Sequence, residues 1–208
     1  MADDKQPDPL VIRKLEFIGG MASARGWRPE ESLPEVAFAG RSNVGKSSLL
    51  NKLVRRKAFA RVSRTPGRTR EINFFRVNDS FILSDLPGYG YAKISKEKKA
   101  DWKPLIEGYL KQTPTLVGVV QLLDIRREPS DDDISMLDFL AEIGVPTVIV
   151  LTKVDKLSKA AGPARADEIM SALGLSREQT IPFSATTGEG RDELAEALMS
   201  LVTAGQES

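Results

Sequence analysis

The sequence predicts a three-layer α/β/α fold on a mostly parallel six-stranded sheet with one antiparallel strand. Three observations carry this. Apolar strand-like runs alternate with helix-like segments along the chain, the pattern of a parallel sheet covered on both faces. Gly40-Arg41-Ser42-Asn43-Val44-Gly45-Lys46-Ser47 fits the phosphate-loop pattern G-x-x-x-x-G-K-[ST] between a strand-like and a helix-like run. Ile72 to Val77 and Ser80 to Leu83 alternate around Asn78-Asp79, a hairpin turn signal.

The elements follow in order. Residues 1–9, acidic and Pro-bearing, read as a disordered tail, and 10–33 as an extension packed on the domain edge. In that extension Leu15, Phe17 and Ile18 are the packing residues and Gly19-Gly20 marks a turn. The main domain is expected over 34–204. Val36 to Ala39 is a strand and Ser48 to Val54 a helix. Ser95 to Lys111 carries a helical stripe of Trp102, Leu105, Ile106, Tyr109 and Leu110, which Pro104 should bend or split. Leu116 to Leu123 is a buried strand. Ser130 followed by three aspartates caps a helix running to about Ile143 and stopping at Gly144. Thr147 to Leu151 and Ile181 to Phe183 are strands. Helices are expected from Pro163 to Gly174 and from Arg191 to Val202.

Composition excludes several chemistries. With 208 residues and 41 % apolar content, one domain with a sizeable core is expected. There is no cysteine, hence no disulfide, zinc-thiolate site or thiol nucleophile, and no histidine, hence no imidazole base. Apolar runs such as Thr115 to Leu123 are too short to span a bilayer, and the acidic N-terminus does not resemble a signal peptide. A cytoplasmic protein without a membrane partner is expected, with a monomer as default.

The glycines of the phosphate loop let the backbone turn around an anion, and N–H groups at the following helix start attract phosphate oxygens. Lys46 can reach the β and γ phosphates, and the Ser47 hydroxyl can ligate Mg²⁺. Chance places this pattern in roughly one in a hundred chains of this length, so alone it leaves an ordinary Gly-bearing turn as a rival. Three further motifs in order remove most of that rival. They are Asp85-Leu86-Pro87-Gly88, Thr152-Lys153-Val154-Asp155 and Ser184-Ala185-Thr186, each just past a strand-like run. Ligands of open α/β sheets bind at that edge. Asp155 is the candidate reader of guanine, whose ring N–H and exocyclic amine offer two donors to one carboxylate. Lys153 can pack its stem on the base. Thr152 departs from the commoner Asn, which weakens the case for a base contact at this first position but not the case for Asp155.

The motif order and wording resemble the EngB (YihA/YsxC) family of bacterial ribosome-assembly GTPases. The phrases that carry this are Leu33 to Ser48, Thr65-Pro66-Gly67-Arg68-Thr69, Asn73-Phe74-Phe75, Asp85 to Ala92, Asp124-Ile125-Arg126 with Asp131-Asp132, and Thr152 to Asp155. They span about residues 33 to 202. The resemblance implies a P-loop G-domain and a Mg²⁺-dependent GTPase acting as a switch in large ribosomal subunit assembly, linked to cell division and septation. It implies that GTP or GDP is held by Gly40 to Ser47, by Gly67, Arg68, Thr69, Arg70 and Glu71, by Asp85, Leu86, Pro87 and Gly88, by Thr152 to Asp155, and by Phe183, Ser184 and Ala185. Lys46, Thr69 and Gly88 take the catalytic roles. Ser47 and Thr69 ligate Mg²⁺, with Thr65 as the rival of Thr69, and Asp85 holds the ion through a water.

One position breaks the pattern. After Gly88 a Gln commonly orients the attacking water, but here Tyr89 stands. Slow intrinsic hydrolysis is therefore expected, completed by K⁺ at Asn43, by Arg41 or Arg68, or by a partner. For Asn43 a mere hydrogen bond to the switch remains equally open. Eight basic and no acidic residues lie between Lys52 and Arg70, and Lys93, Lys96, Lys98 and Lys99 form a second cluster. Both flank the nucleotide motifs. By themselves such runs fit a solvated face that balances the charge of the bound nucleotide; together with the resemblance they imply ribosomal RNA and protein of a large-subunit precursor as partner, through salt-sensitive phosphate contacts. The alternatives are a nucleotide-sensing module with negligible turnover and an ATP-using phosphate-loop enzyme, the latter disfavoured by Asp155.

Overall fold

Seven strands and five helices follow one another in a computed structural model that describes residues 7–30, 32–56, 71–90 and 96–206, with side chains except those of 96–102. They are β1 (Leu15–Met21), β2 (Glu35–Gly40), α1 (Lys46–Leu53), β3 (Ile72–Val77), β4 (Phe81–Asp85), α2 (Lys96–Gln112), β5 (Leu116–Asp124), α3 (Asp131–Glu142), β6 (Thr147–Thr152), α4 (Ala161–Leu173), β7 (Thr180–Phe183) and α5 (Arg191–Gln206). The sheet order is β1-β3-β4-β2-β5-β6-β7. Only β3 opposes its neighbours; the other pairings are parallel. β2 is buried along its whole length, as a central parallel strand covered on both faces must be. Its Val36 and Phe38 join α1 and α5, while Ala37 and Ala39 join α2 and α3. Leu123, Ile149 and Leu151 pack against α4.

The expected six strands become seven, because the segment before the main domain contributes β1. Gly19 and Gly20 are strand residues paired with Phe74 and Asn73, not a turn, with an irregularity after Phe17. Gly19 is bare because the Trp27 ring occupies the space of its side chain: a Cβ there would lie 2.4 Å from the ring. Trp27 in turn meets Phe74 edge-on at 5.9 Å, so it is a packing residue. The hairpin forms around Asn78 and Asp79, both at positive φ (51° and 54°), but Val77 pairs with Phe81, so Ser80 belongs to the loop and not to the strand. Asn78 also accepts from Arg13 and Lys14 backbone N–H groups.

Other boundaries shift for local reasons. α2 runs through Pro104 without splitting, held by the buried Leu105, Ile106, Tyr109 and Leu110. α4 begins at Ala161, which puts Pro163 in the first turn, where a missing N–H costs no helical bond. It ends on Gly174 at φ 64°, a left-handed cap. α5 continues past Val202 to Gln206 because Gly205 lies against Val117 of β5, where a Cβ would approach within 2.0 Å. The tail expected over 1–9 is tied down at its inner end: the buried Arg191 pairs with Asp8 and donates to Leu10 O (2.9 Å) and Leu53 O (3.0 Å). Residues 1–6 lie outside the described residues.

Candidate functional site

Parallel register brings the motif-bearing strand ends to one edge. Phe38 pairs with Asp85, Gly40 with Leu122, Asp124 with Thr152, and Thr152 with Phe183. The loop from Gly40 to Gly45 leaves β2 there and enters α1. Gly40 packs closely, since a Cβ would lie 3.0 Å from Val44 and 3.1 Å from Leu122. Gly45 stands at φ 111° as the residue before α1, and Asn43 at φ 66° is the exposed tip. The start of α1 has no side-chain cap and no acidic residue in its first turn. By contrast, α3 begins with a complete capping box and three aspartates. An uncapped helix start keeps its N–H groups and positive dipole end for an anion.

Charge is arranged around this loop. Lys46 Nζ pairs with the carboxylate of Asp85, both side chains largely buried. An ammonium has three donors, so the pair leaves Lys46 capacity for a phosphate oxygen. Ser47 is exposed in the first turn of α1. Among the described residues no cluster of three or more acidic side chains could cage a metal ion. The donor chemistry nevertheless fits Mg²⁺, which takes one or two protein oxygens and completes its shell from phosphate and water.

Asp85 leads into the second loop. Leu86 donates its N–H to Phe38 O (3.1 Å) and buries its side chain. Pro87 and Tyr89 are buried, and Gly88 between them is exposed. A Cβ on Gly88 would lie 3.1 Å from the N, Cα and Oγ of Ser42, so this loop and the phosphate loop touch at a residue without a side chain. Arg41 lines a cavity with Ser42, Asn43, Val44 and Asp124. It crosses over Gly90, where a Cβ would be 2.9 Å from its Nε and 3.5 Å from Asp132.

Two residues of the third motif brace the phosphate loop. Thr152 Oγ1 donates to Val44 O (2.7 Å), with Leu123 O at 3.1 Å. Lys153 Nζ donates to Asn43 O (2.6 Å) and pairs with Asp124 (2.8 Å), and its stem lies 3.6 Å from the place of a Gly45 Cβ. Burial works to raise the Asp124 pKa, but Arg126 and Lys153 outweigh it and hold the carboxyl well below the usual range. Asp155 accepts from Ser184 Oγ (2.7 Å) and pairs with Lys156 (3.1 Å). These bonds, Ser184's first, lower its pKa and keep it ionised. Ser184 also accepts the N–H groups of Thr186 and Thr187, shaping its own loop. Gly45, Thr152, Lys153, Asp155, Phe183 and Ala185 are among the residues that line a cavity of about 200 Å³. Val154 instead faces the core under α4.

Not every expected residue joins this group. Glu71 lies against Gly20 of β1, whose Cβ would be 2.7 Å from its carboxylate. Thr65, Gly67, Arg68, Thr69 and Arg70 lie outside the described residues. So do Lys57, Arg61, Arg64 and Lys93 of the basic clusters, and the side chains of Lys96, Lys98, Lys99 and Trp102 are not described. Of the rest, Arg55 pairs with Asp8 (3.2 Å) and Arg56 donates to Arg13 O (3.4 Å). Asp124 joins the site through its pair with Lys153, a contact that spacing does not reveal. Its place just past a buried strand, on the edge where ligands bind, is the signal that marks it. No described helix is long and apolar enough to cross a membrane.

The chain is similar to known proteins in sequence and in fold. A family model described as "50S ribosome-binding GTPase" matches residues 35–153. The "Probable GTP-binding protein EngB" of Gemmatimonas aurantiaca is 66 % identical over 193 residues, covering 93 % of this chain and 95 % of that protein. The one from Citrifermentans bemidjiense is 50 % identical over 183 residues, covering 88 % and 85 %. Among solved structures, a probable GTP-binding protein engB superposes with a TM-score of 0.69 at 24 % identity, covering 82 % of this chain and 99 % of that one. Era in complex with MgGDPNP and nucleotides 1506-1542 of 16S ribosomal RNA superposes at 0.61 and 24 % identity, covering 81 % and 56 %. The phosphate loop, the loops that brace it and the near-full-length identity together place this chain in the EngB family of P-loop GTPases.

Proposed function

We propose that this GTPase is a nucleotide switch for assembly of the large ribosomal subunit, acting in the cytoplasm as a monomer and supporting cell division and septation. The observation that carries the ribosomal part is the match of more than half the chain to a 50S ribosome-binding GTPase family. The basic segments flanking the nucleotide loops suit an RNA partner, because phosphate contacts supply most of such affinity. In this reading residues 34–204 are the G domain and 10–33 its edge extension.

The proposed chemistry uses the convergent loops. Uncapped N–H groups of α1 and of the Gly40–Gly45 loop hold the phosphates, Lys46 neutralises the β and γ oxygens, and Gly88 donates its N–H to the γ-phosphate. Ser47, Thr69 and, through a water, Asp85 are the residues that would hold Mg²⁺. When bound, that ion neutralises charge on the phosphate oxygens. Asp155 reads guanine, with Lys153, Ser184 and Ala185 around the base. Arg68, Arg70 and Gly67 belong to the first switch in this reading. Tyr89 cannot orient a water, because its side chain is buried and its hydroxyl donates to Asp133. Turnover is therefore slow until another group completes the site: K⁺ beside Asn43, or the ribosomal partner.

The test is GTP hydrolysis in K⁺ and in Na⁺ buffer, each with and without large subunits. Acceleration by subunits supports the switch reading, and acceleration by K⁺ alone assigns the missing charge to a cation beside Asn43. Fast hydrolysis in Na⁺ without a partner would sink the incomplete-site reading.

A further inference from the structure

Tyr89 follows Gly88 and points the opposite way. Its side chain is 1 % exposed. Its hydroxyl donates to Asp133 Oδ1 at 2.8 Å and accepts from Gln121 Nε2. Asp133 is itself held, since its Oδ2 accepts from Ser130 N (2.9 Å) and Ser130 Oγ (2.7 Å) in the cap of α3. One phenol thus joins the loop after β4 to β5 and to α3. Burial first, and the Asp133 carboxylate second, hold the phenol well above its usual pKa, so it stays protonated and donates.

The main chain is held at the same place. Ser42 N donates to Tyr89 O (2.8 Å), Tyr89 N reaches Gly40 O (3.4 Å), and Ser42 Oγ donates to Gly88 O (3.2 Å). Gly88 is left exposed between two buried anchors, its Cα against Ser42. A donor held by its neighbours before the ligand arrives needs no reorganisation when charge appears in front of it.

We propose that Tyr89 is a positioning residue for Gly88, whose N–H it presents to the terminal phosphate of a nucleoside triphosphate through the buried bond to Asp133. Discrimination between triphosphate and diphosphate then depends on a hydroxyl that touches neither. The proposal rests on the reading of Gly88 as the γ-phosphate donor.

The experiment measures the affinities of GDPNP and GDP, with thermal denaturation alongside, for the wild type and the variants Gly88→Ala, Tyr89→Phe, Asp133→Ala and the double variant Tyr89→Phe/Asp133→Ala. Gly88→Ala must weaken GDPNP relative to GDP; an unchanged ratio overturns the Gly88 reading and this proposal with it. Given that loss, Tyr89→Phe should weaken GDPNP about tenfold, the effect of one charge-assisted hydrogen bond, and leave GDP within about twofold. Adding Asp133→Ala to Tyr89→Phe should change the ratio no further, as for two residues acting through one bond. Equal weakening of both nucleotides, or a lowered melting temperature with an unchanged ratio, would mean plain core packing and overturn the proposal. If Tyr89→Phe does not fold, Ser130→Ala loosens Asp133 from the far side and should shift the ratio in the same direction by about threefold; no shift overturns the proposal.

Discussion

In the proposed reading Asp155 is the carboxylate that recognises guanine. Its ionised state is secured by Ser184 and Lys156 rather than by isolation, so in that reading it would present acceptors to the base at any pH near neutral. Asp155→Asn replaces one acceptor oxygen by a donor, which faces the guanine ring N–H unfavourably. The expected outcome is a loss of about 2–3 kcal/mol in GTP affinity, the cost of an unmade hydrogen bond to a charged group, with a relative gain for xanthine nucleotides. Competition binding with GTP and XTP checks it. Thr152 teaches the converse. As a departure from Asn it reads as a weakened base contact, yet its hydroxyl donates to Val44 O and the residue is 3 % exposed between loop and strand. Thr152→Val keeps the shape and removes the bond. It should weaken GTP and GDP alike by about 1 kcal/mol, measurable by titration with both nucleotides. No spacing rule reveals such a bond, because its partner is 108 residues away.

At the scale of elements, the two helix starts nearest the site are built for opposite ends. α3 satisfies its own N–H groups with Ser130 and Asp133 and adds acidic residues to the dipole. α1 does neither. Introducing a competitor at α1 should therefore matter where it would help an ordinary helix. Ser48→Asp places a carboxylate in the first turn, worth about 0.3–1 kcal/mol of helix stabilisation, yet it should weaken nucleotide binding by repelling phosphate. A raised melting temperature without nucleotide, with a lowered nucleotide affinity, is the expected pair of readings. β1 shows where pattern reading fails. Two adjacent glycines read as a turn because glycine punctuates chains, but here Gly19 makes room for Trp27. Gly19→Val should cost about 2 kcal/mol or more through overpacking and backbone strain at φ 156°. Denaturant midpoints measure it, and Trp27→Ala in the same chain should recover part of the loss.

For the whole molecule, charge and pH behave simply because histidine is absent. Asp8, Asp124 and Asp155 all have lowered folded pKa values, for Asp8 and Asp124 against the opposing effect of burial. A depressed folded value contributes stability above the unfolded pKa and loses it as pH falls through the folded one. The melting temperature should thus vary little between about pH 5 and 8 and fall below about pH 4, where unfolded aspartates begin to take up protons. A rise in stability on acidification through that range would contradict the ion pairs described for Arg191, Arg126 and Lys153. The sequence by itself determined the alternation of strands and helices, the four nucleotide loops and their order, the hairpin and the α3 cap, because each is a local pattern of turn chemistry or periodicity. Only the tertiary structure decided that a seventh strand closes one edge of the sheet. It also decided that Arg41 packs over Gly90, that Lys153 and Thr152 brace the phosphate loop, and that Tyr89 is an anchor. These depend on which distant residues share a space, and parallel register, not sequence spacing, brings β2, β4, β5, β6 and β7 to a common edge.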